Sequence, residues 1–137
     1  MTDLDIPTVT TDRLVLRGIE PGDVEAFAAM GADPEYSRYI GGPRTLADTW
    51  RAMAMQIGTW ALRGLGLWAV VERSTGDVVG RAGLWWEPGW PGIEAAWFFA
   101  PSRRGRGYAP EAARAALRFA FEVHDADRVI SVIHPDN

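Results

Sequence analysis

The sequence predicts one α/β domain, residues 1–137, with a mostly antiparallel sheet flanked by helices. A chain of 137 residues is the usual size of a single domain with one core. Five segments are rich in β-forming residues and bounded by turn residues, and three others repeat apolar residues at helical spacing. Their order is strand, two helices, three strands in a meander, helix and strand, which requires one parallel crossover near the end.

The amino-terminal part contains the first strand and the first helix. Met1–Thr11 are predicted to be a loose lead-in, after which Leu14 and Leu16 alternate with their neighbours as in a strand. The first helix is predicted to begin near Pro21 and to end at Gly31. The segment ADPEYSRYIGGPR after it is broken by Pro and Gly, which is typical of a loop or a short helical turn.

The second helix has clear start and stop signals. It is predicted to begin after Thr45, with Asp48 completing an imperfect capping box, and to end at Gly64. Trp60 near its end and Trp68 beyond it are assigned to the core. The residues predicted to share the core-facing stripe of this helix are Leu46, Trp50, Met53, Ile57, Trp60 and Ala61.

Three strands, a helix and a last strand complete the predicted fold. Leu67–Arg73 pairs with the segment after the turn STGD as a hairpin, and Ile93–Ala100 is apolar enough to be central. Arg128–Ile133 is predicted to be a strand parallel to Ile93–Ala100. The stripe of the intervening helix consists of Ala109, Ala112, Ala113, Ala116, Leu117, Ala120 and Phe121.

Composition and charge exclude several classes of protein. The formal net charge is −4, so the chain has no overall attraction to nucleic acid or to an anionic membrane. It has no cysteine and two histidines, which excludes thiolate catalysis and cysteine zinc sites and disfavours any metal centre. No apolar segment approaches the length of a membrane span and no secretory leader is recognisable, so we expect a cytoplasmic protein.

The segment RRGRGYAPEA, which begins at Arg103, lies where a predicted strand gives way to a helix. A helix N-terminus has free N–H groups and partial positive charge, and glycines let a ligand approach the backbone closely. The pattern therefore predicts a pyrophosphate site. A Walker loop is excluded because the chain has no lysine, and a dinucleotide fingerprint because Pro110 replaces its third glycine. The alternative is a tight turn with solvated arginines.

Arg104–Ala109 match R/Q-x-x-G-x-G/A, the acetyl-CoA signature of the GNAT N-acetyltransferase superfamily, which the whole of residues 11–137 resembles. IEAAWFFAPSRRGRGYAPEAARAAL resembles that family's fourth strand, pyrophosphate loop and third helix. TDRLVLRGIEPGDVEAFAAM resembles its first strand and helix, and VISVIHPDN its fifth strand. The likeness is greatest to the branch that contains the ribosomal-protein N-terminal acetyltransferases, and it implies a GNAT-like sheet.

The resemblance implies acetyl-CoA as cosubstrate, no metal, and direct transfer to a primary amine on a small molecule or a peptide N-terminus. The pantetheine arm is expected between the fourth and fifth strands, and the pyrophosphate on the N–H groups of the loop. The residues thereby implied to bind the cofactor are Trp97, Phe98, Phe99, Arg104, Gly105, Arg106, Gly107, Tyr108, Ala109 and Asn137.

The resemblance also points to Glu94 as the base that removes the proton from the amine, directly or through water. Apolar neighbours predict a raised pKa for this carboxyl, whereas the alternative is a solvent-facing strand residue. Glu87 is a second candidate for the base, and an N–H near Trp97 is the candidate donor to the thioester oxygen. The aromatic candidates for the acceptor entrance are Trp85, Trp86, Trp90 and Trp97, with Tyr36 and Tyr39, which alternatively cap the core.

Relatives in that family continue beyond the position of Asn137 into a further helix and two strands. The resemblance therefore implies a domain truncated after its fifth strand, without the Tyr that usually protonates the departing thiolate. An open last strand predicts a homodimer formed through Arg128–Ile133. The alternative function is a non-catalytic CoA-binding or protein-interaction module, which differs from the enzyme in showing no thioester turnover.

Overall fold

A computed structural model describes residues 4–132 and 135–136 of the chain and contains a five-stranded sheet with four helices in those ranges. The strands are β1 (Val9–Thr10), β2 (Leu14–Arg17), β3 (Leu67–Glu72), β4 (Val78–Trp85) and β5 (Glu94–Phe99). The helices are α1 (Val24–Ala32), α2 (Pro34–Ser37), α3 (Leu46–Arg63) and α4 (Tyr108–Glu122), with 3₁₀ turns at Pro21–Asp23 and Pro101–Arg103.

The strands lie in the order β1-β2-β3-β4-β5, and each neighbouring pair is antiparallel. This mixed α/β architecture confirms the predicted fold class. The loose lead-in was a wrong prediction at its carboxyl end, because Val9 and Thr10 pair with Leu16 and Val15 as β1. The indole N–H of Trp68 also donates to the carbonyl of Pro7 at 2.8 Å, which attaches this segment to the core.

The predicted last strand, Arg128–Ile133, is correct only in part. Among the described residues it makes a single parallel bridge, in which Ala95 N–H donates to Ile130 and Ile130 N–H donates to Ile93. The next N–H in register belongs to Val132 and donates to the Glu94 side chain instead of to the backbone of β5. The two segments therefore separate after one bridge. Ile133 lies outside the described residues, and self-association through this segment stays a prediction.

The hydrophobic core lies on both faces of the sheet. One cluster packs α4 against β2–β5 and contains Trp60 and Trp68, which are 4% and 0% exposed, as predicted. Their rings lie 5.0 Å apart between centroids. A second cluster on the opposite face contains Phe27 and Met53 from α1 and α3. The sheet is thus fixed on both sides, and its open edge at β5 is left for the candidate site.

The amino end of α3 is as predicted, and its buried face is as predicted only in part. Thr45 accepts from Asp48 N–H at 3.1 Å and Asp48 accepts from Thr45 N–H, which confirms the capping box. Met53 and Trp60 of the predicted stripe are buried, but Leu46 and Trp50 are 61% and 63% exposed, and Ala61 is also exposed. The helix buries Thr49 and Gln56 as well, which the predicted stripe did not include. The buried face is therefore displaced from the apolar stripe toward Thr49 and Gln56. Similarly, α4 buries Phe119 and leaves Phe121 exposed.

Candidate functional site

A large cleft lies at the open edge of β5, between α2 and the amino end of α4. Its volume is about 730 Å³. Side chains of both polar and aromatic types surround it. The lining residues are Glu35, Tyr36, Arg38, Tyr39, Ile40, Trp97, Phe98, Phe99, Arg103, Arg104, Gly105, Gly107, Tyr108, Ala109 and Pro110.

One wall of the cleft is a loop, residues 104–107, that leads into α4. Gly105 and Gly107 have φ of 77° and 78°, in the left-handed region that favours glycine. The N–H groups of residues 105–109 donate to no acceptor among the described residues, whereas those of Arg104 and Glu111 donate to Pro101 and Gly107. A row of unpaired N–H groups at a helix start is a strong site for an anion. We call these residues, 104–109, the anion loop.

The second wall is the edge of β5 beyond its bridge to Ile130, where no strand among the described residues pairs with it. Ala100 N–H donates to Val79 of β4, and alternate residues of a strand face the same neighbour. Phe98 therefore pairs with β4, and the N–H and C=O groups of Trp97 and Phe99 point to the open edge. Of the three residues predicted to bind pantetheine, two offer backbone groups to the cleft and Phe98 contributes only its side chain.

Thr11 and Arg13 hold the side chain of Glu111, in the first turn of α4 directly after the anion loop. Arg13 donates from its Nε and its backbone N–H to the two carboxylate oxygens of Glu111, both at 2.8 Å. Thr11 also donates to Glu111, at 2.6 Å. Burial acts to raise the pKa of Glu111, but these hydrogen bonds from Thr11 and Arg13 outweigh it and hold the pKa below its ordinary value.

Arg13 also fixes the direction of one peptide in the loop. Its Nη1 donates to the carbonyl of Arg106 at 2.7 Å, and its guanidinium lies 4.7 Å from the centre of the Tyr108 ring. Because a trans peptide is planar, its C=O and the following N–H point in opposite directions. Anchoring the Arg106 carbonyl behind the loop therefore turns the Gly107 N–H away from Arg13.

A buried carboxylate supports the inner half of the loop. Glu72, the last residue of β3, is 1% exposed and accepts from the Tyr108 hydroxyl at 2.7 Å and from Thr75 at 2.8 Å. Hydrogen bonds from Tyr108 and Thr75, together with the charge of Arg103, outweigh burial and hold the pKa of Glu72 below its ordinary value. The same carboxylate raises the pKa of the Tyr108 hydroxyl.

Each of the three arginines near the loop is paired with a carboxylate. Arg103, which also lines the cleft, and Arg106 donate to Glu72 at 3.3 and 3.4 Å. Arg104 pairs with Glu35 of α2 at 3.1 Å, and both residues line the cleft. The unpaired backbone N–H groups of the loop are therefore the donors that remain available to an anion.

Glu94, the predicted base, begins β5 at the far end from the anion loop. It is 8% exposed, so the alternative of a solvent-facing residue is wrong. Its Oε2 accepts from Val132 N–H at 2.7 Å, and its Oε1 has no hydrogen bond among the described residues. The side chain does not line the cleft described above. A role in catalysis stays a prediction.

The aromatic candidates divide into two groups. Tyr36, Tyr39 and Trp97 line the cleft, and Tyr36 is also buried against Phe98, so it both shapes the cleft and caps the core. The other three tryptophans, Trp85, Trp86 and Trp90, are not in its lining. Trp86 instead packs under the guanidinium of Arg63, which lies 4.5 Å from the ring centre.

Sequence reasoning missed the side chains behind the loop, namely Arg13, Glu72 and the carboxylate of Glu111. By sequence pattern alone, Glu111 is an ordinary solvated residue in the first turn of a helix, and Glu72 ends a strand of unremarkable composition.

Asn137, predicted to contact the cofactor, lies outside the described residues. Within the described ranges, no group of three or more His, Asp and Glu side chains is arranged to hold a metal ion. No helix in those ranges is long and apolar enough to cross a membrane.

Comparison with known proteins assigns the family. The sequence profile of the acetyltransferase (GNAT) domain matches residues 13–137. The uncharacterised N-acetyltransferase YnaD of Bacillus subtilis is 28% identical over 130 residues, which cover 94% of this chain and 74% of that protein.

Solved structures have the same fold. An acetyltransferase from Agrobacterium tumefaciens superposes with a TM-score of 0.89 at 33% identity, covering 100% of this chain and 80% of its own. A putative ribosomal-protein-serine acetyltransferase from Vibrio cholerae superposes with a TM-score of 0.74 at 19% identity, covering 95% of this chain and 75% of its own. This likeness concerns the fold alone. The free N–H groups of the anion loop, the open edge of β5 and these matches agree, and the chain belongs to the GNAT acetyltransferase family.

Proposed function

We propose that this chain binds acetyl-CoA in the cleft beside β5 and transfers the acetyl group to a primary amine in a ternary complex. One observation carries the proposal. The unpaired N–H groups of residues 105–109 and the unpaired backbone of Trp97 and Phe99 border one cleft of about 730 Å³. A pyrophosphate with a long polar arm attached has the shape and hydrogen-bonding groups for both walls.

In the proposed complex the pyrophosphate accepts from the anion loop, and the pantetheine arm lies along β5. Its amides pair with the C=O of Trp97 and with the N–H and C=O of Phe99, which leaves the Trp97 N–H free for the thioester oxygen. β5 has six residues, Glu94–Phe99, and spans roughly 17 Å at about 3.4 Å per residue. An extended arm therefore carries the thioester away from the loop, toward Glu94.

The chemistry requires a base for the amine and a donor for the thioester oxygen. Glu94, through its free Oε1 or a water, takes the proton as the amine nitrogen attacks the acetyl carbon. Negative charge then develops on the thioester oxygen, for which Trp97 N–H is the proposed donor. The C–S bond breaks and CoA leaves as a thiolate. No covalent bond to the protein forms, in keeping with a chain that has no cysteine.

The acceptor is a small-molecule amine or a protein N-terminus. The resemblance of the sequence to the branch that contains the ribosomal-protein N-terminal acetyltransferases favours the second class, and a direct comparison of acetylation rates decides between them. Acetylation rates are measured on peptides with free N-termini and on amino acids and polyamines at equal concentration. Preference for peptides supports the ribosomal-protein branch, and preference for small amines contradicts it.

A thermal-shift titration with acetyl-CoA, CoA and ATP tests cofactor binding. A ligand at 100 times its dissociation constant stabilises the folded state by about 2.7 kcal/mol. We expect acetyl-CoA and CoA to raise the melting temperature and ATP to have a much smaller effect. No shift with acetyl-CoA, or a larger one with ATP, contradicts the proposal.

A second candidate, a CoA-binding module without turnover, is supported by the position of Glu94. Its carboxylate is buried, bonded to Val132 and absent from the lining of the cleft. Release of free CoA from acetyl-CoA is measured against the same panel of amines. Binding without release of CoA favours the module, and amine-dependent release favours the enzyme.

A further inference from the structure

Glu72 lies at the end of a central strand, and its backbone is hydrogen-bonded in the turn that follows. Its strand, β3, lies between β2 and β4, and Glu72 pairs with Leu14 of β2. Its N–H donates to Asp77, and its C=O accepts from Thr75 and Gly76 in the turn between β3 and β4. The carboxylate therefore projects from a backbone that is fixed on every side.

Both oxygens of this carboxylate have partners. Oε1 accepts from Thr75 at 2.8 Å, and Oε2 accepts from Tyr108 at 2.7 Å and from Arg106 at 3.4 Å. Arg103 Nε reaches both oxygens, at 3.3 and 3.4 Å. A buried charge is tolerated when it is paired and fully hydrogen-bonded, and such a network also restricts its partners to one arrangement.

Three of these partners lie in the anion loop or directly before it. Tyr108 is the first residue of α4, and Arg103 and Arg106 flank Arg104 and Gly105. Each of these three side chains contacts the Glu72 carboxylate. One carboxylate thus joins the beginning of the loop, its middle and the start of the helix to the central strand.

The sign of the charge makes this arrangement informative. By Coulomb's law alone, a negative charge behind the loop opposes the binding of an anion in front of it. An anion site gains from such a carboxylate only if the order that it imposes on the N–H groups outweighs that repulsion. Preorganised donors bind without the cost of being ordered by the ligand.

We propose that Glu72 is a positioning residue for the anion loop, and that Arg103 and Arg106 act as its counterions rather than as phosphate ligands. This inference rests on the proposed binding of CoA. The selectivity of the site then comes from backbone geometry. The residue that fixes this geometry, Glu72, lies on β3, outside the glycine motif.

The test compares CoA affinity, by calorimetric titration, for the wild type, Glu72→Gln and Asp77→Asn. Asp77 is the matched control because it pairs with the same Arg103 at 3.0 Å from an exposed position. Both substitutions remove one negative charge near the loop. We expect Glu72→Gln to raise the dissociation constant about tenfold, through the loss of charged hydrogen bonds. Asp77→Asn is expected to change it less than about twofold, as for an exposed pair.

Steady-state kinetics give a second readout. Glu72→Gln is expected to raise KM for acetyl-CoA and to leave kcat at saturation unchanged, because the loop is distant from the reacting atoms. If Glu72 acted only through its charge, the affinity of Glu72→Gln for CoA would rise. If it acted only on global stability, the melting temperature would fall while the affinity of the folded protein stayed constant. Either result overturns the inference.

Tyr108→Phe covers the case in which Glu72→Gln does not fold, since it removes only the hydroxyl that Glu72 accepts from. It is expected to weaken CoA binding about threefold, and an unchanged or improved affinity counts against the inference. The wild-type titration separates this result from the proposed function. A wild type that does not bind CoA overturns both, whereas binding by the wild type with no loss in either variant overturns the positioning role alone.

Discussion

At the carboxyl end of β5, Arg13 donates to the anion loop at Arg106 and Glu72 accepts from the loop at Tyr108, while Glu111, in the first turn of α4, accepts from Arg13. At the amino end, Glu94 is held by one hydrogen bond from Val132. The first end presents a row of fixed donors to an open cleft. The second end has a single buried carboxylate, that of Glu94, beside Val132.

The contrast indicates what each end has to accomplish. Binding a pyrophosphate with backbone N–H groups requires that the backbone be ordered beforehand, because an unsupported glycine loop has many alternative conformations. A base that accepts one proton requires only one well-placed oxygen. We therefore expect substitutions at the loop end to change affinity and those at the Glu94 end to change turnover.

Gly107→Glu has the largest expected effect. It introduces a side chain at φ 78° and a negative charge where the pyrophosphate binds. We expect CoA affinity to fall by at least about a thousandfold, or about 4 kcal/mol, in a calorimetric titration. Gly76→Glu is the matched control, because Gly76 also has φ 78° but lies in the turn between β3 and β4. If both variants lose affinity equally, backbone strain rather than the cleft is responsible.

Glu94→Gln is expected to leave CoA affinity unchanged and to lower kcat roughly a hundredfold, the usual contribution of a general base. The amide keeps the size of the side chain and can still accept from Val132 N–H. Glu87→Gln, at the second candidate for the base, serves as the comparison in the same turnover assay. An unchanged kcat for Glu94→Gln together with a lowered kcat for Glu87→Gln would indicate that Glu87, and not Glu94, is the base.

Glu111→Gln is expected to weaken CoA binding about fivefold and to lower the free energy of unfolding by about 1 kcal/mol at pH 7. The folded-state pKa of Glu111 lies below its ordinary value of 4.5. Its contribution is therefore complete above that value and is lost as the pH falls through the lower, folded-state pKa.

Urea unfolding of the wild type and Glu111→Gln at pH 7, 5 and 3 checks this dependence. The difference in the free energy of unfolding between the two proteins should persist at pH 7 and 5 and become smaller toward about pH 3. Glu122→Gln, an exposed residue of the same helix, is the control. A difference that grows on acidification would show that the carboxyl stabilises the fold in its protonated form.

Glu35→Gln has the smallest expected effect. The pair between Glu35 and Arg104 at the cleft mouth is half exposed, with side-chain exposures of 61% and 44%. Removing this carboxylate should tighten CoA binding about twofold at low salt, and the gain should disappear at high ionic strength. A large or salt-independent change would mean that the rim, and not only the loop end, is preorganised.

Much of the fold was predictable because its signals are local. The capping box at Thr45, the hairpin between β3 and β4 and the start of α4 after Gly107 each depend on a few consecutive residues. The buried face of α3 was not predictable in the same way. Leu46 and Trp50 belong to the apolar stripe, but which side of a wide stripe meets the sheet depends on the other elements packed there.

The candidate site divides in the same manner. The sequence by itself determined a glycine loop at the junction of a strand and a helix, and hence a place for an anion. Only the tertiary structure decided which groups face that anion, because the deciding contacts join distant residues. Glu72 and Tyr108 are 36 positions apart, and Arg13 and Glu111 are 98 apart. The three arginines predicted positive charge at the site, but two of them are directed to a buried carboxylate that no local pattern identifies.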